Sequence, residues 1–331
     1  MQSEMKTLSD NIHDDSKCWG LDPLTKDWGW KSRNNPEYGY ASIWHNLITI
    51  RSKAKEPLPP TQCEFYDVSL GKMCNMHCPF CYTNAYSLGQ VYPNVVDKIK
   101  YLFDNVWYDK NIAPYQVAIG SEGEPTIHPD FIEVLKTFHE NGVVPNYTTN
   151  GKIFTDPDSN RNEIVEATNM YCGGVALSAN EHNTYWREAI DFIRQTSNIK
   201  INLHMIASDL NSIKYIQDIM KEYDGRVWTY VILPLVANGR SKKCMTDEAY
   251  DALVKVINEQ RETGKTQVAV GARMYPWIID PDRPTLTGVQ AHEPEMFSKN
   301  LVLDEHIRIT PSSFDTRTTL WQAFDDPKIF F

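Results

Sequence analysis

The 331 residues carry 33 Lys and Arg against 43 Asp and Glu, giving a net charge of −10, and 41% are hydrophobic. That balance disfavours a nucleic-acid surface, which needs concentrated basic side chains. No apolar run reaches the ~18 residues that cross a bilayer, and the mean hydropathy of −0.47 suits a soluble globular chain.

Residues 1–62 read as an N-terminal extension. Its start, Met1 to Lys6, is polar and lacks the apolar core of a signal peptide. A reducing cytoplasm is therefore the expected compartment for the seven cysteines. Trp19, Trp28, Trp30, Trp44, Tyr38 and Tyr40 are expected to pack this segment onto the main body. Pro57, Pro59 and Pro60 then punctuate the chain.

From Cys63 a β–α alternation sets in. Strands are expected at Glu64 to Leu70, Tyr115 to Gly120, Val143 to Thr149, Gly174 to Ser178, Lys200 to Ala207 and Val227 to Leu235. Helical spacing marks Val95 to Trp107, Asp130 to His139, Glu163 to Met170, Tyr185 to Gln195, Ile213 to Tyr223 and Asp247 to Arg261. Six such pairs call for a parallel sheet with right-handed crossovers. The fold class is α/β: a partial (β/α)6, TIM-like barrel over 63–262, with the N-terminal extension before it. A small α+β extension follows over 263–331. There Gln267 to Met274 reads as a strand, Asn300 to Ile309 as a hairpin turning at Asp304-Glu305-His306, and Thr319 to Phe324 as a short helix.

The first expected strand delivers Cys74, Cys78 and Cys81, spaced C-x3-C-x2-C and followed by Tyr82. Thiolates bunched on a loop suit a metal or an iron–sulfur cluster better than a disulfide framework. Three are one short of a closed four-thiolate site, which leaves an open position. A structural zinc completed by His77 or Cys63 is the alternative ligand set, in an interaction protein without catalysis.

The spacing resembles the radical S-adenosylmethionine (SAM) superfamily. The resemblance implies a 4Fe–4S cluster on Cys74, Cys78 and Cys81, whose open iron binds the amino and carboxylate groups of SAM. An electron then cleaves SAM to a 5′-deoxyadenosyl radical, supplied by an external donor of flavodoxin or ferredoxin type. In parallel barrels the site lies at the C-terminal ends of the strands, and further motifs fall there. Gly123-Glu124-Pro125 is similar to the family's glycine–glutamate–proline motif, which receives the SAM amino group; Glu122 is a candidate on the substrate side. Thr149-Asn150-Gly151 resembles a turn common in these enzymes. Ser178 and Arg187 match positions that contact the SAM carboxylate or ribose, and Leu233 lies on a strand resembling the one that frames adenine. Asn202 and His204, two apart on one strand, share a face; Asn202 is a SAM-site candidate and His204 a substrate-side one. No residue is assigned as catalyst. Asn238-Gly239-Arg240 also recurs in peptide-modifying members.

The tail resembles a degenerate SPASM-type extension. Ser312 and Ser313 stand where a cluster-ligating cysteine would be, and no cysteine follows Cys244, so no auxiliary cluster is expected. Cys18, Cys63, Cys172 and Cys244 read as ordinary thiols. The favoured substrate is a ribosomal peptide or protein. A nucleoside, RNA or small metabolite is the alternative, nucleic acid being disfavoured by the charge.

Overall fold

The computed structural model describes residues 31–45, 48–51, 54–109, 112–287 and 293–324. Trp19, Trp28, Trp30 and Cys18 lie outside them.

Strands β1 (Lys31–Asn35), β2 (Tyr40–His45) and β3 (Ile48–Arg51) form a small antiparallel sheet. Cations fasten it to the body by satisfying loop carbonyls that would otherwise be buried unpaired. Lys31 Nζ donates to Ala113 O at 2.9 Å and Pro114 O at 3.1 Å, and Arg33 donates to Gln62 O and Ala113 O. Trp44 packs on Tyr115 and Tyr40 on Phe297. These aromatics serve packing, as expected.

The main sheet has ten strands. Six are the expected ones: β4 (Phe65–Ser69), β5 (Gln116–Ile119), β6 (Val144–Thr149), β7 (Gly174–Ser178), β8 (Ile201–Ala207) and β9 (Thr229–Pro234), all parallel. Two tail segments extend the parallel set at opposite sides. Strand β10 (Gln267–Val270) joins β9, and β11 (Ser298–Val302) joins β4. Strands β12 (Arg308–Thr310) and β13 (Trp321–Gln322) follow antiparallel. The partial-barrel expectation holds, and the expected hairpin is β11–β12.

The short helix expected at Thr319 to Phe324 is not formed. Six residues make a marginal helix, whereas pairing of Trp321 with Ile309 and Arg308 with Gln322 completes the edge of β12.

The helices between strands are α1 (Val95–Asn105), α2 (Phe131–Glu140), α3 (Arg161–Tyr171), α4 (Trp186–Thr196), α5 (Leu210–Tyr223) and α6 (Asp247–Thr263). Each buries one apolar stripe, as Val95, Ile99, Leu102 and Phe103 do on α1. Their starts are fixed locally. Asp209 and Ser212 form a reciprocal capping box on α5, and Thr246 caps α6.

The outward faces of the strands fill the core against these helices: Tyr66, Val68, Val117, Ile119, Leu203 and Met205 are almost wholly buried. The alternate positions face inward, and several are small: Ala118, Thr148, Gly174 and Ala176. A closed parallel barrel packs its interior with bulky side chains. Here the small ones leave a cavity of about 520 Å³ inside the curved sheet.

Candidate active site

Beyond the C-terminal end of β4 the chain forms a compact loop. Lys72 N donates to Gln90 O at 2.7 Å, Cys74 N to Tyr86 O at 3.0 Å and Cys81 N to Cys78 O at 3.2 Å. The loop presents Cys74, Cys78 and Cys81 as free, half-buried thiols on the wall of a second chamber of about 370 Å³. That chamber shares Asp67, Ala118, Thr148, His204 and Ser313 with the barrel cavity, so the two adjoin at these side chains.

Neighbouring strand ends hold the loop. Gly123 has φ +68°, and a Cβ there would meet Met73 O at 2.5 Å, so only glycine lets the β5 loop approach so closely. Glu124 N donates to Met73 O at 2.9 Å. Asn150, after β6, donates from Nδ2 to Asn75 Oδ1 at 2.8 Å. Tyr82 donates its hydroxyl to Ser121 O at 2.8 Å and packs in a tilted arrangement on Phe314, ring centres 4.5 Å apart. Arg240, after β9, donates to Cys78 O at 2.7 Å and Ala85 O at 2.8 Å, while its own N–H reaches Cys81 O at 2.9 Å. Asn238 Nδ2 donates to Phe314 O at 2.9 Å. Asn238-Gly239-Arg240 thus joins cysteine loop and tail, a role sequence reading had not assigned.

Glu124 is buried, and its carboxylate is fully engaged within the chain. Oε1 accepts from the Thr126 hydroxyl (2.8 Å), Thr126 N (3.3 Å) and the Thr149 hydroxyl (2.7 Å), and Oε2 from Asn150 N at 2.8 Å. Burial pushes its pKa up, and these four donors oppose that. Its visible work is to tie the β5 loop to the β6 turn. Glu122 is turned away from the large cavity: it accepts from the Ser69 hydroxyl at 2.8 Å and pairs with Lys72 at 3.4 Å.

Gly123, Glu124, Ser178, His204 and Leu233 line the cysteine chamber, and Asn202 lines the barrel cavity beside His204. Pro125 follows Glu124 in the short turn below. Arg187 is not brought to either cavity. It lies on the outer face of α4, half exposed, against Trp186 and paired with Glu222 at 2.9 Å. Cys63 is buried at the opposite end of β4 from the loop, with its thiol directed to Pro59 O. It therefore cannot complete the cysteine set. Cys172 is desolvated and Cys244 exposed.

Asp67 was missed in sequence. It projects from the middle of β4 into the shared cavity, and burial pushes it up to about 6, opposed by a hydrogen bond from Ser313. The available signal was a lone acid inside an alternating apolar strand.

The residues fit an iron–sulfur cluster by their chemistry. Burial pushes the Cys74 thiol up to about 11 and raises that of Cys78, against the pull of Arg240. Thiols this desolvated become thiolates when a metal neutralises them. Ser121 Oγ, buried beside them on the chamber wall, has no hydrogen-bond partner in the protein, leaving it free to meet a polar ligand. Among the described residues no three His, Cys, Asp or Glu side chains close on one point as a single-ion site does.

No family model matches the chain. It is 32% identical over 76 residues to the 7,8-dihydro-6-hydroxymethylpterin dimethyltransferase of Methanocaldococcus jannaschii, covering 23% of this chain and 15% of that one. It is 35% identical over 80 residues to the S-adenosyl-L-methionine-dependent tRNA 4-demethylwyosine synthase of the same organism, covering 24% and 23%. In structure it is similar to Streptococcus suis SuiB bound to S-adenosylmethionine, with a TM-score of 0.61 and 13% identity over 82% of this chain and 66% of that one. SuiB bound to precursor peptide SuiA gives a TM-score of 0.60 and 15% identity, over 81% and 64%. The chain spans less than a quarter of the curated relatives and somewhat under two thirds of SuiB. At such identities the likeness to SuiB is one of fold. In its cysteine loop, its barrel and its local identity, the chain resembles the radical SAM superfamily.

Proposed function

We propose that the protein is a radical SAM enzyme that modifies a ribosomal peptide or protein. The observation that carries the reading is the delivery of three free thiols into a chamber that adjoins the barrel interior. A 4Fe–4S cluster on Cys74, Cys78 and Cys81, when bound, supplies the electron that cleaves SAM to a 5′-deoxyadenosyl radical.

The chain's own residues do the rest. Backbone and small side chains around Gly123 and Pro125, with Ser178, Asn202 and Leu233, receive SAM. Glu124 holds the β5 loop against the cysteine loop so that this surface keeps its shape. Tyr82 and Phe314 close one wall of the chamber and exclude water from the reacting atoms. An external donor of flavodoxin or ferredoxin type would reduce the cluster.

The peptide reading is supported by the fold shared with SuiB, whose structure holds a precursor peptide. A second reading, modification of a nucleoside or RNA, is favoured by the local identity to the tRNA 4-demethylwyosine synthase. Anaerobic reconstitution tests the cofactor: about four irons per chain are expected, lost in Cys74→Ala, Cys78→Ala and Cys81→Ala. Zinc in place of iron would overturn it. A host extract that stimulates SAM cleavage decides the substrate. Loss of stimulation after protease treatment supports the peptide, and loss after nuclease supports the second reading.

A further inference from the structure

We infer that the barrel interior holds a subsite for an organic cation, the amine or guanidinium of a substrate side chain, built around the Asp67 carboxylate. This deepens the proposed function and rests on it for the subsite's use, although binding of the cation needs no SAM cleavage.

Asp67 sits at the third of five positions in β4, on the inward face, where its backbone pairs with Ala118 of β5 and Asn300 of β11. A carboxylate in such a place is costly unless a cation or several donors meet it. Here one side-chain donor does, the Ser313 hydroxyl, and among the described residues no cation bears on it. The cation that shares the cavity, Arg273, is already held by Glu295 and by the Ser312 hydroxyl at 2.9 Å. His204 cannot serve, since burial keeps its ring uncharged down to about pH 4.

The cavity also offers a second acceptor. Asn202 Oδ1 is buried without a partner on the same wall as His204. The Asp67 carboxylate and Asn202 Oδ1 together suit a guest that carries N–H groups. Ala118, Gly174 and Ala176 leave the depth for an aliphatic stem, as a lysine or arginine side chain provides. A charged N–H group on Asp67 would form the charge-assisted hydrogen bond the chain itself does not supply.

The test uses the cluster-loaded full chain, titrated anaerobically by calorimetry with N-acetyl-L-lysine N-methylamide. Its uncharged near-isostere, N-acetyl-L-norleucine N-methylamide, is titrated alongside. The lysine probe should bind about tenfold or more tighter than the norleucine probe, the worth of one hydrogen bond to a charged group. Asp67→Asn should erase that preference and Asp67→Glu should keep part of it. Equal binding of the two probes to the wild type, or no binding of either, overturns the subsite. So does a preference that survives in Asp67→Asn. The wild-type comparison decides even if the variant fails to fold. SAM cleavage with equal binding of the probes would sink the subsite alone, whereas probe selectivity without any SAM cleavage would sink the enzyme reading alone.

Discussion

Asp67 and His204 face one cavity from different strands, and burial shifts them in opposite senses for stability. The folded state holds the Asp67 proton up to about pH 6 against an ordinary 3.8, so stability falls as pH rises through that window. The folded state resists protonation of His204, lowered to about 4 from 6.5, so stability is lost as pH falls through its window. Each effect is of order 3 kcal/mol, and in the wild type they largely offset. Asp67→Asn should therefore make stability rise between pH 4.5 and 6.5, and His204→Gln should make it fall. Urea unfolding at the two pH values checks both, and a flat response in either variant would contradict the burial of its partner. Glu124 works through hydrogen bonds instead. Glu124→Gln turns an N–H group onto donors of Thr126, Thr149 and Asn150, and should cost about 1–3 kcal/mol in the same assay.

The cysteine loop is held by elements distant in sequence, above all by the turn after β9. Gly239, at φ +58°, lies so close to the loop that a Cβ would meet Cys81 O at 2.4 Å. Gly239→Ala should displace the loop. Arg240→Met should free the carbonyls of Cys78 and Ala85 and speed amide exchange over residues 74–86 by about tenfold or more, two hydrogen bonds being lost. Unchanged exchange in both would show that the loop stands alone. Little of this was legible beforehand. Alternation and helical spacing placed β4 to β9 and α1 to α6 within a few residues, since each element buries one periodic face. The three thiols stood out by spacing alone. Arg240 stood out only within the Asn238-Gly239-Arg240 resemblance, and its hold on the loop did not, because its partners are main-chain carbonyls about 160 residues away, which leave no mark on sequence. Arg187 failed to reach either cavity for a related reason: helical position does not say which face meets the sheet, and Glu222 of α5 holds it outside. The helix expected at Thr319 to Phe324 gave way to an edge strand because β12 offered it hydrogen bonds.

Across the whole molecule, the tail is part of the barrel's structure. Strand β11 covers the edge of β4 that the cysteine loop depends on, and Leu301, Val302, Leu303, Ile307 and Ile309 lie in the main core. A chain cut before residue 293 should lose its near-ultraviolet circular dichroism and its cooperative unfolding; retention of both would show that the rest of the chain folds without the tail. The interior is kept open by Ala118, Gly174 and Ala176, and the thiols look into it from the C-terminal rim, where parallel barrels place their chemistry. The central claim is that this rim cleaves SAM. The measurement that tests it most directly is chromatographic detection of 5′-deoxyadenosine after anaerobic reconstitution and addition of dithionite and SAM, with Cys78→Ala as control. The account predicts product from the wild type and none from the variant. Iron-loaded wild type that forms no more product than Cys78→Ala, with substrate extract present, would contradict it.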